Sequence, residues 1–287
     1  MAKIYFISIS LILIFILCSH QKSFNNQVSY IASESEDHIN PQGKTIFERI
    51  IIPDGFERVP LDSNSFGFYL RNLPLHPVGT DVYLYNGQIK ENKVHAAVIV
   101  MDIGSRDLQQ CADAVIRLRS EYLYARKLYG LIHFNFTNGF RADYAKWALG
   151  YRIEVTDNQV KWIHKAETSY EYGIFHQYLD VIFTYAGTYS LAQEMVSVQY
   201  RDVQPGDVFI RGGSPGHAVI VVDVAVHKTT GQKIFLLAQS FMPAQDIHIL
   251  INPSDPELSP WYLLNPEDEI IRTPEWEFAN DEVKRFP

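Results

Sequence analysis

The sequence predicts an α+β domain with helices packed on a mainly antiparallel sheet. Two patterns lead there: helical periodicity dominates the middle of the chain, and β-branched runs between turns fill its last third. Helices first and strands later are the order of segregated α+β architectures. Hydrophobic residues make up 47% of the chain and aromatics 13%, enough for a sizeable core. No repeat occurs at solenoid periods.

The chain opens with Lys3 ahead of an apolar run from Ile4 to Cys18. A charged start before a short apolar run is the layout of a secretory signal, read here as residues 1–20. An uncleaved anchor is the alternative, although a membrane span needs about 20 apolar residues. Residues 21–42 are polar and read as a tether. Residues 43–287 then form one α+β domain.

Thr45 to Phe56 reads as a short strand running into a Pro-Asp-Gly turn. Ser65 to His76 is a helical turn stopped by proline. Asp81 to Gln88 alternates and turns at Asn86-Gly87, and Val94 to Met101 is a buried strand. Leu108, Cys111, Ala112, Val115, Leu118, Tyr122 and Ala125 form one apolar stripe at helical spacing. Asp107 is the predicted N-cap of that helix, with Ser105 the alternative, and Gly130 marks its end. A short strand at Ile132–Phe136 and helices at Arg141–Leu149 and Tyr170–Tyr185 follow. Gln204-Pro205-Gly206-Asp207 turns into Val208–Ile210, and a glycine-rich loop leads to His217–Val226. Thr229-Thr230-Gly231 folds that run back on Lys233–Gln239 as a hairpin, and Asp246–Ile251 is a further strand.

The net charge is −8; residues 1–22 carry Lys3, Lys22 and no acid, so the remainder carries −10. An acidic chain without a basic stripe is not expected to bind nucleic acid. The cysteines are Cys18 and Cys111. With Cys18 in the leader, Cys111 has no partner, and an exported free thiol is either a buried apolar group or a nucleophile. Cys111 lies near a helix start, where unpaired N–H groups and the helix dipole stabilise a thiolate. His217 opens a strand after a glycine-rich turn, at a sheet rim where an imidazole can reach such a thiol. Continuous antiparallel pairing sets Gln239 opposite Ile220, near enough to hold the second ring nitrogen. The other reading of Gln239 is a buried amide that satisfies backbone groups. Asp246 and His248 share a strand face, as a substitute for Gln239 or as a surface ladder.

Other chemistries lack their signatures. Ser240 has no G-x-S-x-G around it. No H-x-x-x-H or C-x-x-C spacing occurs, so no metal is expected. Arg211 to Gly216 precedes a strand rather than a helix, which does not suit phosphate binding. Trp147, Trp162, Trp261 and Trp276 are spread as core or interface anchors.

Pro205-Gly206-Asp207, the strand after it, Gly216-His217 with its apolar β-run and the returning hairpin resemble the NlpC-like and CHAP-like branches of the papain-like superfamily. The resemblance implies a papain-like core with Asn135 to Val203 as an insertion. It implies Cys111 as nucleophile, His217 as base and Gln239 as orienter, with Gln110 or Gln109 aiding an oxyanion hole and no cofactor. In this reading the protein is a cell-envelope cysteine hydrolase acting on a peptidoglycan-type or related amide. The alternative is a non-catalytic envelope domain that binds glycan or a protein partner. Leu17-Cys18-Ser19 loosely resembles a lipobox, which would make Cys18 a lipidation site and the protein either periplasmic or anchored at the outer membrane. Leu17 stands where that motif has a small residue. Over nearly the whole mature chain, YLRNLPL, VYLYNGQIK, DLQQCADAVIRLRSEYLY, FNFTNG, GDVFIRGG, GHAVIVVDVA and LLAQSFMPAQDIHIL are similar to the bacterial family catalogued as domain of unknown function 4846. That similarity implies no activity.

Overall fold

The computed structural model describes residues 38–157 and 159–287. The leader, Cys18 and residues 21–37 of the polar stretch lie outside them. The folded part starts before residue 43. Asn40 N–H donates to Arg49 O at 2.7 Å, and Ile51 N–H donates to His38 O at 2.8 Å.

The helices are α1 (Ile46–Arg49), α2 (Phe66–Arg71), α3 (Cys111–Ala125), α4 (Tyr144–Ala148), α5 (Tyr172–Tyr185) and α6 (Thr188–Glu194). The strands begin with β1 (Phe56–Arg58), β2 (His95–Val98), β3 (His133–Asn135), β4 (Arg141–Asp143), β5 (Tyr151–Thr156), β6 (Gln159–His164) and β7 (Val196–Ser197). They continue with β8 (Val208–Arg211), β9 (His217–His227), β10 (Lys233–Gln239), β11 (His248–Leu250), β12 (Tyr262–Leu264), β13 (Ile270–Arg272), β14 (Glu277–Ala279) and β15 (Val283–Arg285). Among the described residues none of the helices is long and apolar enough to cross a membrane.

In place of the strand that Thr45–Phe56 predicts, Ile46–Arg49 winds into a helical turn. Thr45 Oγ1 accepts from Glu48 N–H at 3.3 Å, and Glu48 Oε2 accepts from Lys44 N–H at 2.8 Å. The Thr45 cap satisfies one helix donor, and Glu48 reaches back past it to the N–H of the preceding residue. The helix at α3 also begins later than Asp107. Gln110 is its N-cap residue, and Asp113 accepts from the Gln110 N–H at 3.0 Å. Cys111 is therefore the first helical residue. The β5–β6 hairpin, α6 and the C-terminal strands add to what periodicity predicts.

The main sheet runs β2-β11-β10-β9-β8-β15-β7, with β1 also on β9 and β12 also on β10; every pairing is antiparallel. The protein is thus α+β with a mainly antiparallel sheet. One face of β8–β10 packs Ile210, Ala218, Ile220, Val222 and Ala238 with Ala112, Val115 and Leu118 of α3. The other packs Phe209, Val219, Val221 and Leu237 with the C-terminal Phe278 and Val283. Both faces of β9 are therefore dry, which explains an apolar run from Ala218 to Val226 broken only by Asp223. Each fully buried aliphatic side chain there contributes roughly 1.5–3 kcal/mol.

A bulge interrupts the β9–β10 ladder between Leu236 and Leu237: Leu236 pairs with Asp223, Leu237 with Val221 and Ala238 with Ile220. The extra residue is Val222. Asp223 is fully buried beside it, accepting from Arg58 Nε and Arg71 Nε, each at 2.6 Å.

Candidate functional site

The bulge corrects the pairing expected for Gln239. Carrying the ladder one step beyond Ala238–Ile220 sets Gln239 opposite Val219. A one-residue slip moves a side chain to the opposite face of a sheet. Gln239 therefore shares the face of Val219 and His217, where Ile220 as its partner would have turned it to the helices.

His217 and Gln239 do meet. His217 Nε2–H donates to Gln239 Oε1 at 2.9 Å, which fixes the proton on Nε2. Gln239 Nε2 donates to Glu275 Oε2 at 2.8 Å and lies 3.4 Å from His248 Nε2. His248 Nδ1–H in turn donates to Asp246 O at 2.8 Å. Glu275 closes the group through Lys90 Nζ at 2.6 Å. His217, Gln239 and His248 are all buried, and the His217 ring stacks on Phe278 with centroids 5.8 Å apart. Burial pushes His217 down to about 4, against the hydrogen bond to Gln239, and His248 down to about 3. Both are neutral at pH 7. His248 belongs to this interior chain and not to a surface ladder.

Cys111 lies elsewhere. Successive strand residues face opposite ways, and Ala218, Ile220 and Val222 pack with the α3 residues. His217 points to the other side, among Phe278, Trp276 and Phe241. The thiol and the imidazole thus occupy opposite sides of β9, contrary to the expected Cys–His dyad. A general base must come within hydrogen-bond reach of the proton it takes, and the side-chain partners of the His217 ring are Gln239, Phe241, Trp276 and Phe278.

The expected low-pKa thiol is also absent. Burial, then the nearby Asp113 carboxyl, pushes Cys111 up to about 11, and the N–H groups of Ala112, Ala218 and Cys111 only partly offset this. The favourable field of a helix start is outweighed by desolvation. The Gln110 side-chain NH2 donates one hydrogen bond to Asp107 Oδ1 at 3.0 Å. Gln109 accepts from Arg117 Nη1 at 3.0 Å through Oε1.

Cys111 does line a cleft of about 430 Å³ with Asp113, Thr188, Met242 and the Gly213–Gly216 loop. The loop lies close: a Cβ on Gly216 would stand 2.5 Å from Gly213 O and from Thr188 Oγ1. Leu108 and Phe183 border both this cleft and a second hollow of about 240 Å³. Gln109, Arg117 and His176 line the second. Two buried atoms of lining residues have no partner, Gln109 Nε2 and Asp113 Oδ1. Burial pushes Asp113 up to about 8, so it is largely protonated at pH 7, and its Oδ2 accepts from Gln110 N–H. The free Oδ1 then carries the proton. Sequence reasoning passed over Asp113; its one signal was an acid three residues after Gln110, the spacing of a helix cap.

Among the described residues no group of three or more His, Cys, Asp or Glu is arranged to hold a metal. No curated protein and no solved structure matches the chain. The family model described as Domain of unknown function (4846) matches residues 46–285, which span both faces of β9, the cleft and the buried histidines. The chain therefore belongs to the family described as Domain of unknown function (4846).

Proposed function

We propose that this chain is an exported cell-envelope binding domain on a papain-like frame, whose groove at the mouth of α3 receives peptidoglycan-type glycan or peptide. The observation behind this reading is two buried donors without a partner, the protonated Asp113 Oδ1 on the groove and Gln109 Nε2 on the hollow that adjoins it. A buried donor without an acceptor costs about 1–3 kcal/mol. Uncharged carbonyl and hydroxyl oxygens, abundant in amides and sugars, would relieve that cost. Neither donor favours a cation. The apolar Met242, 58% exposed, offers a flexible contact at the rim. No cofactor enters this reading.

A cysteine amidase or peptidase is the second reading. It is favoured by Cys111 standing first in α3, at an open cleft, with backbone N–H groups turned to its sulfur. It requires His217 to leave its aromatic setting and reach the helix side of β9.

One experiment separates the two. Iodoacetamide labelling of Cys111 is followed from pH 6 to 11, in the wild type and in His217→Ala. The binding reading expects slow labelling that rises only toward the alkaline end and is the same in both proteins. A midpoint below that of a free thiol, about 8.5, that shifts in His217→Ala would replace it with the hydrolase. In parallel, calorimetry with a soluble muropeptide should show binding that Gln109→Leu weakens about tenfold, as loss of a buried donor implies. Equal affinity in the two proteins would remove the groove from the proposal.

A further inference from the structure

Arg119 lies two turns along α3 from Cys111, on the side facing α2 and the C-terminal residues. Every other arginine of the described residues has a hydrogen bond or ion pair. Arg119 has neither. Its guanidinium carbon instead lies 5.1 Å from the Phe66 ring centroid, 5.1 Å from that of Phe286 and 5.6 Å from that of Tyr122. Rings bind a guanidinium through its π faces, which leaves the coplanar N–H donors at its edge free.

The side chain is partly buried. Burial lowers its pKa, and no carboxylate is among the groups that act on it. A desolvated cation without a counter-ion is costly, and the rings compensate only in part. Arg119 and Phe286 together line a hollow of about 300 Å³ shared with Ser65, Gln204 and Asp207. Of the acids there, Asp207 is paired with Arg285 at 2.6 and 2.8 Å, and Asp62, which accepts from Asn64 N–H at 2.6 Å, makes no ion pair with Arg119. Gln204, oriented so that its oxygen accepts from Arg285 at 3.0 and 3.2 Å, leaves its amide NH2 as a further donor on that wall.

From these observations we infer that the hollow is an oxyanion-binding site, with Arg119 as its fork for a carboxylate or phosphate group. It is separate from the groove at Cys111 and does not depend on what that groove does. The aromatic clamp orients the fork before the ligand arrives, so little freedom is lost on binding.

The test uses the full chain at constant ionic strength, titrated with inorganic phosphate, with N-acetylglycine and with N-acetylglycinamide, and followed by calorimetry and amide chemical shifts. Saturable binding of phosphate or N-acetylglycine is expected, with none of the neutral amide and with shifts at Ser65–Gly67 and Gln204–Gly206. Which anion binds distinguishes a phosphate source from a carboxylate source. Arg119→Gln should weaken binding at least about tenfold, the scale of a lost charge-assisted pair. Arg119→Lys, which keeps the charge and the stem, should lose N-acetylglycine more than phosphate because only arginine forks bidentately. Absence of saturable binding by either anion, unchanged affinity in Arg119→Gln, or shifts confined to other residues would each overturn the assignment. The shift map needs only the wild type, so instability of a variant does not shield the proposal.

Discussion

The two faces of β9 bury polar groups in opposite ways. On the helix side, Asp223 sits at the bulge with zero exposure, held by two guanidiniums. On the C-terminal side, His217, Gln239 and His248 form a run of neutral donors and acceptors, with charge only at its Glu275–Lys90 edge. A charge-paired site fails badly when one partner is removed, because the others are left buried and unpaired. A neutral run fails gently, one hydrogen bond at a time. The contrast separates a clamp that fixes the register from a run that fixes tautomers.

Asp223→Ala breaks that contrast most directly. It strands Arg58 and Arg71 and should cost about 3–5 kcal/mol in urea unfolding. A loss below about 1 kcal/mol would mean the clamp adds no more than a surface pair. Gln239→Leu should cost less, about 1–3 kcal/mol, by orphaning His217 Nε2–H. Equal costs in the two variants would erase the distinction between the faces.

The pH response sharpens it further. His217 and His248 fall from the ordinary 6.5 to about 4 and about 3 in the folded chain. Between pH 6.5 and 4 the unfolded chain therefore binds protons that the folded chain refuses. Stability that is fully present above pH 6.5 is lost as the pH falls through that window. Asp113 acts in the opposite sense: raised from 3.8 to about 8, it contributes stability below pH 3.8 that is lost as the pH rises through 8. Over the acid window two imidazoles oppose one carboxyl, so among these three groups the net change is a loss. Denaturant midpoints at pH 7.0, 5.5 and 4.5 should decline, more shallowly in His217→Gln and more steeply in Asp113→Asn. A slope unchanged in His217→Gln would show that the ring is already protonated or exposed.

Much of this was legible in the residues. The run from His217 to Val226 reads as a strand because its residues are β-branched and apolar on both sides of Asp223, and Pro205-Gly206-Asp207 announces the turn before it. The α3 stripe reads correctly because helical spacing persists over four turns. The facing of His217 was not legible. When both faces of a strand are dry, alternation does not tell which side receives the helix. The bulge was hidden too, since it accompanies the pairing of Asp223 with Arg58 and Arg71, 165 and 152 residues away. The pairing of His217 with Gln239 was anticipated, but through a register the bulge overrides. The raised thiol was not legible because the surroundings of Cys111 come from segments distant in sequence, Ala218 and the Gly213–Gly216 loop among them.

Val222 is the surplus residue of the ladder: without it Asp223 would stay opposite Leu236 and Val221 opposite Leu237, and the two strands would run on without interruption. What it adds is a second consecutive side chain on the helix side, since Val222 packs into the core there while Asp223 beside it takes the two guanidiniums. One added residue thus lets a single strand fill the apolar layer and hold a buried ionic contact at the same height.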